Sequence, residues 1–469
     1  MSKETPIYYN HRHIARVTVE AATPIAVGSG KTCISTDSPV IRDVNRLPYI
    51  PATSLAGILR HALGIKDESK NQTFGYHDKN GGLGSCIIFT DAVMVGKEGK
   101  PLDGLQNISE MDEFYAQYLE MNIRQHVRID ERGVAADTGK FDNEVVFRGT
   151  RFTFEMELYS DTSQRETFDQ VLNMLQSETL RVGSGTRCGY GKLKVARCER
   201  ADLDLTHADD LKAYLKKSSC LSEEWETFRE WKADKESVLD TESWDKYVLE
   251  LHPLDFYMFG AGMGDADADN VPVTDVEVTW SEEGKPTISE RKILIPATSI
   301  KGALAHRTAY HYNKLCDVKA DKMPKEEMKN HVGGRNLAVA SIFGMSCDDD
   351  LQNKKGCLGN IIMSDLMGQE MKEDKQKLFF HIKNDTFTGG TIDGVLFQEK
   401  SVYGKGDTFT LEIIISKSAW TDDLVKKAFE QTLDDLCNGY LPLGGVTGRG
   451  NGMFTGLYNK EENDGKENK

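Results

Sequence analysis

Four hydroxyls and two glycine-rich runs are the residues of this 469-residue chain whose types and spacing suit one chemistry, the holding of an anion. Thr53 and Ser54 lie in the phrase Ile50-Pro-Ala-Thr-Ser-Leu-Ala-Gly-Ile-Leu, and Thr298 and Ser299 in its echo, Ile295-Pro-Ala-Thr-Ser-Ile-Lys-Gly-Ala-Leu. Each phrase reads as a strand ended by proline, then a capped helix; Thr53 or Ser54 is expected to cap a helix beginning at Leu55. A helix start carrying exposed N–H groups and hydroxyls suits a phosphate. The glycine runs are Leu180-Arg-Val-Gly-Ser-Gly-Thr-Arg-Cys-Gly-Tyr-Gly191 and Leu441-Pro-Leu-Gly-Gly-Val-Thr-Gly-Arg-Gly-Asn-Gly452. Glycines this dense turn successive N–H groups toward an anion, and Arg187 and Arg449 add charge. A dinucleotide or P-loop fingerprint places its loop before a helix, whereas these runs follow a helix and precede a strand. A backbone that grips a nucleic-acid phosphate or base is the better reading.

These residues recur in order, so the chain reads as a duplicated unit. An opening strand closes on Gly28-Ser-Gly30 in the first half and on Gly260-Ala-Gly262 in the second. The capped helix follows, then Phe74-Gly75 with a strand Cys86 to Asp91, matched by Phe343-Gly344 and Asn360 to Asp365. A polar hairpin comes next: His126, Asp130, Asp137, Phe147 and a strand Phe152 to Leu158 correspond to His381, Asp385, Asp393, Phe397 and Thr408 to Ile414. Helices at 164–177 and 421–436, with apolar residues at helical spacing, lead into the glycine runs. Strand, helix, strand, hairpin, helix, strand is the plan of a ferredoxin-like, or RRM-like, unit with an insertion, an α+β fold. Residues 1–198 and 244–460 are the two expected domains, 199–243 a charged helical linker, and 461–469 a disordered tail.

Composition narrows the class. The formal net charge is −16, which argues against coating nucleic acid by bulk electrostatics and requires any such contact to be local. No apolar run is long enough to span a membrane, and the opening MSKETPIYYNHRH lacks a secretion core, so a cytoplasmic protein without membrane contact is expected. Nine scattered cysteines without a C-x-x-C pair suit reduced thiols. Cys316, His331, Cys347 and Cys357 share one region and are zinc candidates, but their spacing is that of no recognised finger and ordinary cysteines are the expectation. Asp265, Asp267 and Asp269 mimic the start of a calcium loop, yet Asn270 stands at the turn glycine and Val276 at the twelfth position, which disfavours calcium.

Tandem units with the IPATS phrase, the Phe-Gly turn and a terminal glycine loop resemble the RAMP superfamily of CRISPR systems, and more narrowly the backbone subunits of type III effector complexes. The resemblance covers both halves. It implies that the chain grips CRISPR RNA, works beside other type III effector subunits, and projects a thumb from each domain, here the hairpin from His126 to Val146. It also implies that an aspartate in a D-[SN]-P-V-[IV]-R-D loop cuts target RNA. Asp37-Ser-Pro-Val-Ile-Arg-Asp43 carries that loop, and the role falls on Asp37. One carboxylate acting as base or holding a divalent ion such as Mg2+ suffices when the RNA supplies its own 2′-hydroxyl, and the products would be a 2′,3′-cyclic phosphate and a 5′-hydroxyl.

The second half departs from the pattern with Gly264-Asp-Ala-Asp-Ala-Asp-Asn-Val-Pro-Val-Thr-Asp275. Asp269 or Asn270 lies nearest in register, with one extra residue before Pro272, and Asp267 or Asp269 is the candidate for a second cut. Candidate guide contacts are Thr53, Ser54, Thr298, Ser299, Lys301 and Arg307, with the loop residues Gly183, Gly185, Arg187, Gly189, Gly444, Gly445, Arg449 and Gly450. Arg60, Arg128, His126 and His381 complete the set. The alternatives are the same fold as a non-cutting RNA scaffold, or an unrelated ferredoxin-like enzyme acting on a small phosphorylated substrate.

Overall fold

The computed structural model describes residues 9–64, 73–78, 81–233, 239–349 and 355–461. The tail beyond 461 lies outside them. In the first half the strand His11–Ala21 (β1) puts Ala15, Val17, Val19 and Ala21 into one core, because alternate side chains of a strand share a face. The helix Ala52–Ala62 (α1) and the strand Ile87–Phe89 (β2) follow. A hairpin of Ile123–Ile129 (β3) and Ala135–Glu144 (β4) then precedes the strand Arg151–Ser160 (β5), the helix Arg165–Met174 (α2) and the strand Leu193–Asp204 (β6). β1 lies antiparallel between β5 and β6, with Val17 opposite Phe154 and Cys198, and β2 extends the sheet beyond β5. Leu55 and Leu59 of α1 and Phe168, Val171 and Leu172 of α2 cover one face.

The segment 199–243 is not a helical linker. Its start completes β6, its one described α-helix is Ala208–Leu215 (α3), and Arg229–Glu230 (β7) adds to the sheet edge beside β6. Ile14, Ala201, Leu203 and Phe228 form a small core on the sheet's other face. The many charges around these residues disguise the period-two alternation that buries them, and a boundary at 198 would cut through a strand.

The second half repeats the order. Trp244–Pro253 (β8) comes first, then a two-stranded ribbon of Val278–Trp280 (β9) and Pro286–Ile288 (β10), and the helix Ala297–Leu315 (α4). Ile361–Met363 (β11) follows, then a hairpin of Gln376–His381 (β12) and Phe397–Tyr403 (β13), Phe409–Ser416 (β14), the helix Asp423–Cys437 (α5) and Phe454–Lys460 (β15). β8 sits between β14 and β15 with β11 beyond β14, the same neighbours in the same sequence as in the first sheet. Among the described residues no helix is long and apolar enough to cross a membrane.

The two helices after the IPATS prolines start earlier than expected, at Ala52 and Ala297, and their own hydroxyls do not cap them. The caps are carboxylates from the following strand phrases: Asp91 Oδ1 accepts from Ala52 N at 2.8 Å, and Asp365 Oδ1 from Ala297 N at 2.7 Å. A negative group already stands at each positive helix end.

The halves are joined through buried contacts. Arg124, on β3 of the first half, pairs with Asp275 and with Asp365, 3.4 Å away, both from the second half; the three side chains are 5%, 1% and 5% exposed. Asn122 Nδ2 donates to Asp275 Oδ1 at 2.6 Å. Burial works against the Arg124 charge, but the two carboxylates outweigh it and hold the guanidinium protonated. Burial also pushes the Asp365 carboxyl up, although Arg124 and the Ala297 N–H pull the other way. Nearby, the second-half ribbon lies on the first-half core: Trp280 Nε1 donates to Gly149 O at 2.7 Å, and the Arg151 guanidinium lies 4.4 Å over the indole. Gly149 has φ +85°, and a Cβ there would fall 1.8 Å from Val278 O, so the ribbon's seat requires glycine.

Two outcomes are expected in urea unfolding. Asp91→Ala lowers stability by about 1 kcal/mol through loss of the α1 cap, whereas Thr53→Ala stays within about 0.5 kcal/mol. Arg124→Met leaves two buried carboxylates without a counter-charge and lowers stability by about 3–5 kcal/mol near neutral pH. A carboxyl whose folded pKa is raised destabilises the fold increasingly as pH rises from the ordinary aspartate range through the raised value. Removing Arg124 raises Asp365 further, so the deficit shrinks as the medium is acidified toward about pH 5.

Candidate nucleic-acid interface

The hydrogen bonds around the two aspartate loops fix their correspondence. Ser29 N donates to Pro39 O at 2.9 Å, as Ala261 N does to Val271 O at 2.9 Å; Ile41 N donates to Val27 O at 2.8 Å, as Val273 N does to Phe259 O at 2.7 Å. Glu144 N donates to Ser38 O at 3.1 Å, as Lys400 N does to Asn270 O at 2.9 Å. The loops therefore align without insertion, Asp37 on Asp269 and Asp43 on Asp275. The extra residue expected before Pro272 does not exist; that expectation came from matching prolines, and Pro272 stands opposite Val40. Asp267 is not the counterpart of Asp37.

Both aspartates are exposed and tied by one oxygen to the returning strand of the neighbouring hairpin. Asp37 Oδ2 accepts from Asp142 N at 3.1 Å, and Asp269 Oδ2 accepts from Gln398 N at 2.8 Å. Asp37 N in turn donates to Asp142 Oδ1 at 2.9 Å, and Asp269 N to Gln398 O at 3.0 Å. The second oxygen, Oδ1, has no hydrogen-bond partner in either case among the described residues. The Thr36 hydroxyl, 2.7 Å from Asp142, holds that carboxyl below the usual range, helped by the Asp37 N–H. Beside this shared geometry the charges differ. Glu144 of the first half accepts from Val40 N at 2.9 Å and pairs with Arg42 at 2.5 Å, while its counterpart Lys400 pairs with Asp265 at 2.6 Å and Asp267 at 3.0 Å.

The glycine loops serve packing first. Gly183 and Gly444 have φ of +83° and +88°, and a Cβ would fall 2.5 Å from Ala26 O and 2.4 Å from Met258 O, so each loop lies on the backbone just before its aspartate loop. The first loop is also seated on the second half: a Cβ on Gly189 would meet Ala297 and Asp365 at 2.8 and 2.9 Å, and Arg187 Nε donates to Gly359 O at 2.9 Å. Gly185 packs against Tyr190. Arg187 and Lys301 thereby come to line one cleft of ≈ 380 Å³ between the halves, with Thr186, Gly344, Ser346 and Asp349 on its walls. Burial pushes both cations down, and for Lys301 the nearby Arg187 adds to the effect. No ion pair compensates either of them among the described residues. Thr298 and Ser299 are half-buried in the same helix start, and Thr53 and Ser54 begin α1, whose last turn carries Arg60.

Other candidates are placed differently. The Arg307 guanidinium is held by Asp435 at 2.5 Å, beside His311 at 2.6 Å, and so joins α4 to α5. The sequence cannot show this, because Asp435 lies on another helix. His126 and His381 are not exposed hairpin residues; they stack across their hairpins on Phe141 at 5.0 Å and Phe397 at 4.7 Å. Phe397 thus corresponds to Phe141 and not to Phe147, which is a core residue. Burial, and then Arg124, pushes the His126 ring down. Arg128 is exposed on β3. Arg449 is 50% exposed, 3.7 Å from Glu399 and 5.0 Å over Phe397; Gly445 N donates to Met258 O at 2.7 Å, and a Cβ on Gly450 would meet open space. Cys316, His331, Cys347 and Cys357 do not converge: among the described residues no three metal-ligating side chains gather where an ion could bind.

Comparison with known proteins agrees with the duplicated plan. The family model described as the RAMP superfamily matches residues 18–194 and again 284–455. The CRISPR system Cms endoribonuclease Csm3 of Mycobacterium tuberculosis is 27% identical over 198 residues, which cover 38% of this chain and 83% of that protein. The protein of the same name from Methanocaldococcus jannaschii is 29% identical over 203 residues, 38% of this chain and 75% of its own length. With two copies of the sheet and two matches that together exceed half its length, the chain belongs to the RAMP superfamily.

Proposed function

We propose that the chain is a two-domain backbone subunit of a type III CRISPR effector complex, which holds CRISPR RNA and cuts the paired target RNA with Asp37 and, at a second position, Asp269. The observation that carries the reading is the repeated aspartate geometry: an exposed carboxylate fixed by one oxygen, with the other free, at the same backbone position of both halves. The similarity to proteins named as CRISPR endoribonucleases supports it. The strand neighbours of both sheets support reading each half as ferredoxin-like, with β3 and β4, and β12 and β13, as thumbs. Base pairing would supply sequence specificity while the protein holds the backbone. The cytoplasm is the compartment this reading implies.

In this mechanism the second oxygen of Asp37 accepts the proton of a target 2′-hydroxyl as the 2′-oxygen attacks the adjacent phosphorus; the bond from phosphorus to the 5′-oxygen breaks, that oxygen takes a proton from water, and a 2′,3′-cyclic phosphate and a 5′-hydroxyl result. The bond from Asp142 N keeps the carboxylate oriented. Asp37 and Asp142 also suit Mg2+, which takes one or two carboxylates with phosphate oxygens and water completing its shell. When bound, such an ion would offset charge on the scissile phosphate. The cationic cleft of Arg187 and Lys301 is the proposed grip on the guide backbone, a local site that needs no net basic chain.

A scaffold reading has one observation in its favour, since the paired bonds between Asp37 and Asp142 also tie the aspartate loop to the hairpin strand. Asp37→Asn separates the two, because the amide oxygen keeps the bond from Asp142 N while the charge is lost. In a complex reconstituted with guide and target RNA, the expected result is a fall of about 10²–10⁴-fold in one cut with guide retained. Undiminished cutting supports the scaffold. Lys301→Met is expected to weaken guide binding at every sequence and to reduce the slope of log affinity against log salt by about 1, measured by filter binding over a salt series.

A further inference from the structure

We propose that Lys400 sets the charge of the second aspartate site: a fixed cation, paired with Asp265 and Asp267 of the loop carrying Asp269, which offsets part of that loop's charge toward an RNA phosphate. The proposal rests on the reading of Asp269 as a cutting residue. Lys400 stands on β13 two residues beyond Gln398, whose backbone holds Asp269. Its Nζ lies 2.6 Å from Asp265 Oδ2 and 3.0 Å from Asp267 Oδ2. Asp265 Oδ1 in turn accepts from Asp267 N and Ala268 N, both at 2.9 Å. Gly264 closes the turn so tightly that a Cβ would fall 2.2 Å from Ala268 O. The ammonium group thus pairs with two carboxylates of the loop from Gly264 to Asp269.

The fold alone does not require this cation. At the equivalent place the first half has Glu144, of opposite sign and turned to Val40 N and Arg42, yet its aspartate loop follows the same path. The ion pairs of Lys400 face solvent, with Asp265 42% and Asp267 70% exposed, and exposed pairs add little stability. What Lys400 does face is an open cleft of ≈ 490 Å³, lined also by Asp267, Gln398, Leu378 and the exposed ring of Phe380. Asp265, Asp267 and Asp269, with Glu373 on the same cleft wall, would together repel a phosphate approaching there; Lys400 offsets one of those charges. The hydrogen bonds to Asp265 and Asp267 push the Lys400 ammonium up and keep it charged.

The test uses the reconstituted complex with guide RNA and an end-labelled target, so that each cut is read separately. Asp37→Asn and Asp269→Asn are expected to remove one cut each. Lys400→Met is expected to lower the turnover of the Asp269-dependent cut by about 10–100-fold, leaving the Asp37-dependent cut and guide retention unchanged. Lys400→Arg, which keeps the charge, is expected to restore most of it, a rescue that a purely structural role of the lysine stem would not distinguish from methionine. A Lys400→Met complex that makes both cuts normally, while Asp269→Asn loses one, overturns the inference alone. So does an arginine variant no better than methionine, or loss of both cuts together. If Asp269→Asn keeps both cuts, the reading of the second site falls and this inference with it.

Discussion

One guanidinium between two carboxylates of the other half sets the geometry of the whole chain. Arg124 reaches out of the first hairpin to Asp275 and Asp365, and those residues are not arbitrary anchors. Asp275 ends the second aspartate loop, and Asp365 caps the helix that carries Lys301. A buried pair of this kind is weak evidence for stability but strong evidence for register, because misplacement would strand a charge in a dry interior. It places the first thumb's base, the second aspartate loop and the second helix start in one fixed arrangement. The cleft of Arg187 and Lys301 is a product of that arrangement, since each half contributes one cation and neither sheet alone would form it.

The same constraint explains why equivalent parts of the two halves are not equivalent in exposure. The first glycine loop is seated on the second half at Ala297 and Asp365, whereas the second loop keeps Arg449 half exposed and leaves open space where a Cβ on Gly450 would stand. At the opposite end Asp365 is covered and its counterpart Asp91 is exposed. The contact is head to tail, so it leaves one used and one open copy of each surface.

Much of this is legible in the sequence. The repeat and the two sheets with their helices follow from phrases whose glycines and prolines have fixed backbone meaning, and the aspartate loop from the family resemblance. Three things are not. Asp91 and Asp365 stand at matched strand ends, but a cap supplied from about forty or seventy residues downstream leaves no local signature, whereas Thr53 and Ser54 imitate one. Arg124 looks like any thumb cation until its partners, far along the chain, are brought to it. The strands after residue 198 are hidden because the charges outnumber the few inward residues, Ala201, Leu203 and Phe228, that decide the fold there.

The aspartate loops show which level of description carries function. Three main-chain bonds recur at matched positions, although only the two end aspartates and a displaced proline link the phrases Asp37-Ser-Pro-Val-Ile-Arg-Asp43 and Asp269-Asn-Val-Pro-Val-Thr-Asp275. Matching by proline shifted the register, because proline fixes only its own φ, while matching by backbone donors and acceptors recovers it. Once aligned, the halves differ most in the charge beside the aspartate, Glu144 against Lys400. A duplicated fold can therefore keep one carboxylate in place twice and still give each copy its own electrostatic surroundings, because the loop path depends on main-chain bonds and the field on side chains the path does not need.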